Sequence, residues 1–339
     1  MLLLLSAACS STDPQNTLAA SGIVAKKQQD LFWTVTAWAT GVFILVGALL
    51  VFTLWRFRKG DAQGEPHQTH GNTRLEIAWT IAPVLVLLTV AVPTVSLLWE
   101  LAEPPKVATE VKVTGHQWWW EFEYPGYGIV TANELHIPQG EVIQFHITST
   151  DVIHSFWIPK LGGKLDAIPG KVQSLWLRGD EPGTFYAQCA ELCGVQHANM
   201  KFRVVVHPRE RFEQWARDQR TPARAPDPGT PEAAGLQVFT NNCVACHAVE
   251  GVPGAVGKVG PNLSRFGNRQ TLGAGMVENT LPMLEKWIAD TTSIKPGINS
   301  KDAQGNVTQG GALTPMPRFS ETLNAEQIKA VAAFVAGLK

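Results

Sequence analysis

Cys189-Ala-Glu-Leu-Cys193-Gly-Val-Gln-His197-Ala-Asn-Met200 is the stretch on which the reading of this chain turns. Two thiols, an imidazole and a thioether fall within twelve residues. Soft and borderline ligands of these kinds select copper over magnesium or calcium. A further imidazole, His154, stands 35 residues upstream in Asp-Val-Ile-His-Ser-Phe-Trp. One blue-copper ion takes one Cys, two His and a weak Met. With two Cys, the same set can hold a pair of coppers bridged by two thiolates. Zinc can be bound by two Cys and two His, but that leaves Met200 idle, and the spacing is not that of a zinc knuckle. A Cys189–Cys193 disulfide suits an oxidising compartment, and leaves His154, His197 and Met200 as coincidence. Copper ranks above both.

Outward from this loop, residues 107–206 read as β-structure. Val-Lys-Val-Thr, Glu-Val-Ile-Gln-Phe-His-Ile and Phe-Arg-Val-Val-Val are β-branched runs, separated by Pro125-Gly126, Pro138-Gln139-Gly140, Pro169-Gly170 and Pro182-Gly183. Short strands between such turn signals predict an antiparallel sandwich of roughly one hundred residues. Trp118, Trp119 and Trp120 stand in a row, so strand alternation sends the outer two to one face and the middle one to the other. His116, His136, His146 and His207 lie outside the ligand pattern and read as sheet or surface histidines.

Gly115-His-Gln-Trp-Trp-Trp-Glu-Phe-Glu-Tyr-Pro, then His154, then Cys189 through Met200, resembles subunit II of the haem–copper cytochrome c oxidases over roughly residues 25–210. The resemblance implies a cupredoxin-like sandwich holding the binuclear CuA centre. It implies that Cys189 and Cys193 bridge the coppers and that His154 and His197 take one each. Met200 and the carbonyl of Glu191 are then weak ligands, and the Glu191 side chain reaches a magnesium at the boundary with subunit I. It further implies that Trp118 lies on the surface above CuA and admits electrons, and that Glu76 sits at a proton-channel mouth in subunit I. Asp166 matches an acidic position near CuA and is expected to make a structural hydrogen bond. Position 119 commonly carries Tyr in the family; Trp keeps the aromatic ring and loses the hydroxyl.

Ahead of the sandwich, residues 31–55 and 77–99 are runs of 25 and 23 residues without a charge. Each is long enough to cross the ~30 Å hydrocarbon core as a helix. Pro83 and Pro93 lie in the second run, where a membrane helix tolerates them. Trp33, Trp38, Trp55, Trp79 and Trp99 stand near the ends of the runs, as interfacial belts do. Arg56, Arg58, Lys59 and Arg74 outnumber Asp61 and Glu65 in the connection, which makes it cytoplasmic and puts both termini outside. The leader, Met-Leu-Leu-Leu-Leu-Ser-Ala-Ala-Cys9, resembles a bacterial lipoprotein signal, although it lacks a basic start and a full-length apolar core. Lipidation of Cys9 and a free Cys in an unstructured leader are both open readings.

Behind the sandwich, residues 219–231 carry Pro222, Pro226, Pro228 and Pro231 and read as a semi-rigid tether. Cys243-Val-Ala-Cys246-His247 then follows a helix-like stretch. Cys-x-x-Cys-His attaches c-type haem through two thioethers and offers His247 to the iron. Gly260-Pro-Asn-Leu and the helical apolar spacing from Ala325 onward resemble class I cytochromes c. Of the candidate sixth ligands Met276, Met283 and Met316, the last sits just before the final helix, where these cytochromes carry their axial Met. Met283 has helical apolar neighbours and reads as core.

Of 339 residues, 17% are charged and the formal net charge is −1, so neither a disordered chain nor a nucleic-acid binder is indicated. Residues 101–218 hold 11 basic and 14 acidic residues, and residues 232–339 hold 9 and 8. Two such domains on one tether need no strong charge complementarity to dock, because the effective concentration is roughly millimolar.

The predicted plan is multi-domain. A leader and N-terminal segment cover 1–30 and a transmembrane hairpin 31–100. An all-β cupredoxin-like domain covers 101–218, a linker 219–231, and an all-α cytochrome c domain 232–339. The resemblance implies an oxidase subunit in a bacterial cell membrane, with subunit I and other subunits, an external cytochrome c or other donor, and lipid as partners. A nitric oxide reductase subunit and a membrane-anchored carrier without a catalytic partner are the alternatives; a quinol oxidase subunit is disfavoured by the copper ligands. The topology is tested by reporter fusions: one at Gln63 should read as cytoplasmic and one after Lys339 as external, and the reverse pattern overturns it.

Overall fold

The computed structural model describes residues 13–58, 68, 70–296 and 316–339. Cys9, and Lys59, Asp61 and Glu65 of the connection, lie outside the described residues. Two compact units result, residues 26–103 and the remainder of the described chain.

In the first unit, helices α1 (Ile23–Arg56) and α2 (Thr73–Ala102) contain the two uncharged runs. Within those runs both are apolar on every face, and large side chains such as Phe43, Ile44, Trp79 and Leu87 stand exposed. A helix of that length without a polar face is stable in lipid rather than water. Asn72 caps α2 by accepting from the backbone N–H of Arg74 and Leu75. Lys27 and Glu100 pair across the two helices.

In the second unit, ten strands make two five-stranded sheets. The strands are β1 (Thr109–His116), β2 (Trp119–Tyr124), β3 (Ile129–Ala132), β4 (Glu134–Pro138), β5 (Ile143–Ser149), β6 (His154–Trp157), β7 (Leu165–Ala167), β8 (Gln173–Leu177), β9 (Gly183–Cys189) and β10 (Lys201–His207). Their orders are β3-β2-β1-β5-β8 and β4-β10-β9-β6-β7. Most pairs are antiparallel, as expected; β1 with β5 and β4 with β10 are parallel. The sheets face each other over Trp120, Phe122, Phe145, Phe156 and Phe202, all fully buried, with Phe156 stacked on Phe202 at 5.1 Å. Alternation along β2 turns Trp120, Phe122 and Tyr124 inward and Trp119 outward, where it stacks on His116 at 4.1 Å.

Helix α3 (Arg209–Gln219) closes one edge by burying Phe212 and laying Trp215 on His136, 4.4 Å between ring centres. The N-terminal segment also belongs to this unit: Ser21 N–H donates to the Lys160 carbonyl and Ala25 N–H to that of Leu161.

After α3 the chain runs along the last domain, with Ala223 N–H donating to the Glu250 carbonyl and Arg265 to that of Thr221. Helices α4 (Pro231–Asn242), α5 (Leu281–Ala289) and α6 (Ala325–Ala336) enclose Phe239, Leu284, Ile288, Val331 and Val335. Asn324 and Gln327 form a reciprocal capping box at the start of α6. A small hairpin, β11 (Thr271–Leu272) and β12 (Val277–Glu278), faces the sandwich.

Candidate copper centre and haem cavity

The hairpin of β9 and β10 builds the first site. Cys189 ends β9 and Met200 immediately precedes β10, and the loop is drawn shut by Cys189 N–H donating to the Met200 carbonyl at 2.9 Å. β6 pairs with β9 at Phe156 and Cys189, which carries His154 to the same end of the sheet. The Cys189 and Cys193 sulfurs are 3.7 Å apart, a contact and not a bond. His154 Nδ1 lies 4.0 Å from Cys189 Sγ, and the Glu191 carbonyl 3.2 Å from it. His197 Nδ1 and Met200 Sδ lie 3.7 and 3.8 Å from Cys193 Sγ.

The two imidazoles therefore stand at opposite ends of the thiol pair. His154, Cys189 and Cys193 form one tight ligand cluster, and His197 falls outside it. One tetrahedral ion would draw all four together; a string of ligands on two central sulfurs fits two metals. The electrostatics agree with a soft-metal site. Cys189 is lowered to about 3, first by the Cys193 thiol that donates to it, and Cys193 is pushed up by the same bond. One thiolate is thus preformed, and binding a metal expels the other proton.

Sequence reasoning missed Asp151. Its Oδ1 lies 2.8 Å from His154 Nε2, and its Oδ2 accepts from Gln117 N–H at 2.6 Å. A carboxylate can only accept when ionised, so His154 Nε2 carries the proton and Nδ1 is left to face the sulfurs. Burial works against a charged His154, yet the Asp151 bond and Cys189 hold it above the ordinary imidazole value. Gly115 is required beside it, since a Cβ there would come within 2.8 Å of the ring. The signal available was an Asp three residues before the ligand. Asp166 pairs with Ser155 between β7 and β6, and its backbone carbonyl accepts from Gln173. The Glu191 side chain is exposed, and among the described residues it belongs to no metal-ligating cluster.

The second site is an apolar cavity whose lining includes Cys243, Cys246, His247 and Met316, together with Phe239, Leu263 and Leu284. Cys243 caps α4, and His247 N–H returns to the Cys243 carbonyl at 2.9 Å, so the motif is one tight turn. His247 Nδ1 lies 2.7 Å from the Pro261 carbonyl. A carbonyl accepts only, so Nδ1 is the donor and Nε2 is free to bind a metal. Burial holds His247 below the ordinary imidazole value. At Gly260 a Cβ would fall 2.5 Å from the imidazole, so this loop can cradle the ring only as glycine. Two thiols, a neutral imidazole and a thioether around apolar walls fit a covalently held haem. Met276 and Met283 are not among the lining residues; Met283 packs against the core.

Trp118 corrects an expectation. It is 2% exposed and not a surface ring, because the last domain covers it. Trp118 lines the haem cavity, its Nε1–H donates to the Cys193 carbonyl at 3.0 Å, and its own carbonyl accepts from Lys295 Nζ at 2.9 Å. Glu76 lies in the first turn of α2 and is exposed.

Two membrane helices, a sandwich with a sulfur-rich metal loop and a helical domain with a haem-attachment motif define a membrane-anchored electron-transfer protein. The chain belongs to the cytochrome c oxidase subunit II family. The profiles described as cytochrome c oxidase subunit II, transmembrane domain and periplasmic domain match residues 13–97 and 129–207, and that described as cytochrome c matches 232–339.

Among relatives named cytochrome c oxidase subunit 2, that of Alkalihalophilus pseudofirmus is 38% identical over 306 residues, covering 88% of this chain and 83% of the relative. That of Bacillus sp. strain PS3 is 39% identical over 272 residues, with 75% and 76% covered. That of Bacillus subtilis is 35% identical over 302 residues, with 83% and 84% covered. The chain is thus part of an oxidase complex, anchored in the membrane with its later domains in the periplasm. Its domains imply CuA copper and haem c, and membership implies association with subunit I and the other oxidase subunits.

Removing the Asp151 carboxylate should loosen the metal. Asp151→Ala is expected to weaken copper binding by about 10–100-fold, as loss of a ligand's hydrogen-bond partner does. Competition with a copper chelator checks this; His146→Ala, away from the site, should bind as wild type.

Proposed function

We propose that the chain takes electrons through its haem c domain and delivers them through CuA to subunit I of a caa-class oxidase, where oxygen is reduced to water and protons are pumped. The observation that carries this reading is Trp118. One side chain lines the haem cavity and donates to the carbonyl of the copper loop's Cys193. When bound, haem c and the copper pair supply one-electron redox chemistry.

The chain's residues hold and order those groups. Cys243 and Cys246 would anchor the haem through thioethers and His247 and Met316 would ligate its iron; a Met ligand raises the haem potential. Cys189, Cys193, His154, His197, Met200 and the Glu191 carbonyl would hold the copper pair, the two thiols being shared between the ions. Because Trp118 is covered, the external donor, a cytochrome c or another reduced carrier, gives its electron to the haem domain. Trp118 then serves inside the chain instead of at its surface. Glu76, exposed at the head of α2, and the exposed Glu191 carboxylate meet subunit I. The first lies at the proton-channel mouth, and the second contributes to a magnesium whose other ligands come from that partner. The belts of Trp on α1 and α2 sit in lipid headgroups.

The purified complex should contain two coppers in this chain for each haem c, and should take up oxygen with reduced cytochrome c. One copper per haem c sinks the binuclear centre, and nitric oxide turnover without oxygen uptake sinks the oxidase. Met316→Ala should abolish the thioether-to-iron absorption band and lower the haem potential, slowing reduction by the donor more than onward transfer. A drop of ~59 mV changes a one-electron equilibrium tenfold. Met283→Ala should keep the band and cost roughly 2–5 kcal/mol of stability; the opposite result reassigns the ligand.

A further inference from the structure

Glu134 stands on β4, the edge strand of its sheet, yet one carboxylate oxygen is bonded to the other domain, while the second lies 4.0 Å from His136 Nε2 on its own strand. The side chain is 3% exposed. Its Oε1 accepts from Gln270 N–H at 2.7 Å, Thr271 N–H at 2.9 Å and the Thr271 hydroxyl at 3.2 Å. Those donors open β11, and Thr271, Leu272, Gly273 and Ala274 are one wall of the haem cavity. At the opposite margin Lys295, itself 3% exposed, donates to the Trp118 carbonyl. Its neighbour Pro296 accepts from Gln196 of the copper loop. Between the two, Lys201 N–H donates to the Ala274 carbonyl, and Arg203 to the Gly275 carbonyl at 3.1 Å.

Burying a carboxylate and an ammonium costs several kcal/mol each in general, unless hydrogen bonds offset it. An apolar patch would hold the domains together at less cost, but would let them slide. Charge-assisted bonds to backbone groups are directional and fix one register. We infer that Glu134 and Lys295 are positioning residues, a two-point clasp that fixes the haem cavity against Trp118 and so shuts the copper loop off from outside donors. The inference rests on the electron route proposed above. In that route one electron leaves haem c, which is oxidised, and one arrives at the copper pair, which is reduced; the clasp decides how much of the time the two face each other.

The test uses the whole oxidase with Glu134→Ala, Glu134→Gln and Lys295→Met. Hydrogen exchange of residues 268–276 should quicken on the order of tenfold in Glu134→Ala, since the Gln270 and Thr271 amides then lose their acceptor. Lys295→Met should leave that segment less affected. Electron passage from flash-reduced haem c to CuA should slow several-fold in each single variant. Combining Glu134→Ala with Lys295→Met should slow it on the order of tenfold or more, as lost charge-assisted bonds weaken docking. Absorption spectra and potentials of both centres should stay as in wild type. Unchanged exchange together with unchanged transfer overturns the clasp. So does faster exchange with wild-type transfer, which would make Glu134 a support for β11 alone. If Glu134→Ala does not assemble, the same two readouts on the isosteric Glu134→Gln and on Lys295→Met decide the question. A wild-type oxidase in which haem c does not feed CuA sinks the electron route, while the exchange result still judges the clasp.

Discussion

A pair of sulfurs held 3.7 Å apart inside a protein is the constraint from which the rest of the soluble structure follows. Two thiols so close cannot both ionise without a metal, so the backbone must hold them together against that cost. The β9–β10 hairpin does so by returning on itself, with Cys189 N–H bonded to the Met200 carbonyl and Ala190 N–H to that of Ser155. Once that loop is closed, β6 must lie beside β9 to bring in His154, and β1 must present a glycine, Gly115, where the imidazole passes. The aromatic stack beneath, from Trp120 through Phe156 to Phe202, makes the end of the sandwich rigid enough to keep ligand distances.

The two imidazoles proposed as metal ligands are set by the same device in unrelated folds. His154 gives one ring nitrogen to a carboxylate and His247 gives one to a backbone carbonyl, and each has a glycine against its ring. The partners differ in charge, and the difference bears on the chemistry. Asp151 makes His154 a more basic ligand and raises it, whereas His247 has a neutral partner and burial lowers it. The two proposed ligands therefore differ: His247, held neutral, takes a metal without losing a proton, whereas His154, held protonated by its carboxylate partner, gives one up when a metal takes Nδ1.

What the sequence made legible was local. The candidate copper ligands in the loop lie within twelve residues, the haem motif within five, and each membrane helix is a continuous run. Alternation separated Trp119, which turns outward, from Trp120, which enters the sandwich core; Trp118 lies in the turn before β2 and is buried against the last domain instead. What stayed hidden depends on contacts between residues far apart in the chain. Glu134 meets residues 136 and 137 positions away, and Lys295 meets Trp118 across 177. No periodicity reports such a contact. Domain net charges hid it further, because two buried groups barely alter totals of −3 and +1 drawn from dozens of surface charges. The family resemblance put Trp118 at the surface; in this chain the last domain covers it and turns that surface into an interior.

That interior explains why the tether is built as it is. A flexible linker alone would raise the effective concentration of the haem domain near the copper loop to roughly millimolar. It would not choose an orientation. Here the segment after α3 is itself bonded to the haem domain through Ala223 and Arg265, so little free chain remains to be ordered on docking. With that entropy already reduced, the interface can afford polar bonds that select one face over others of similar area. Lys295 shows the balance. Burial lowers it to about 7, and its bond to the Trp118 carbonyl stands where Trp118 in turn donates to the Cys193 carbonyl of the copper loop. A docking contact that reaches the copper loop through one tryptophan orders the two domains and that loop together.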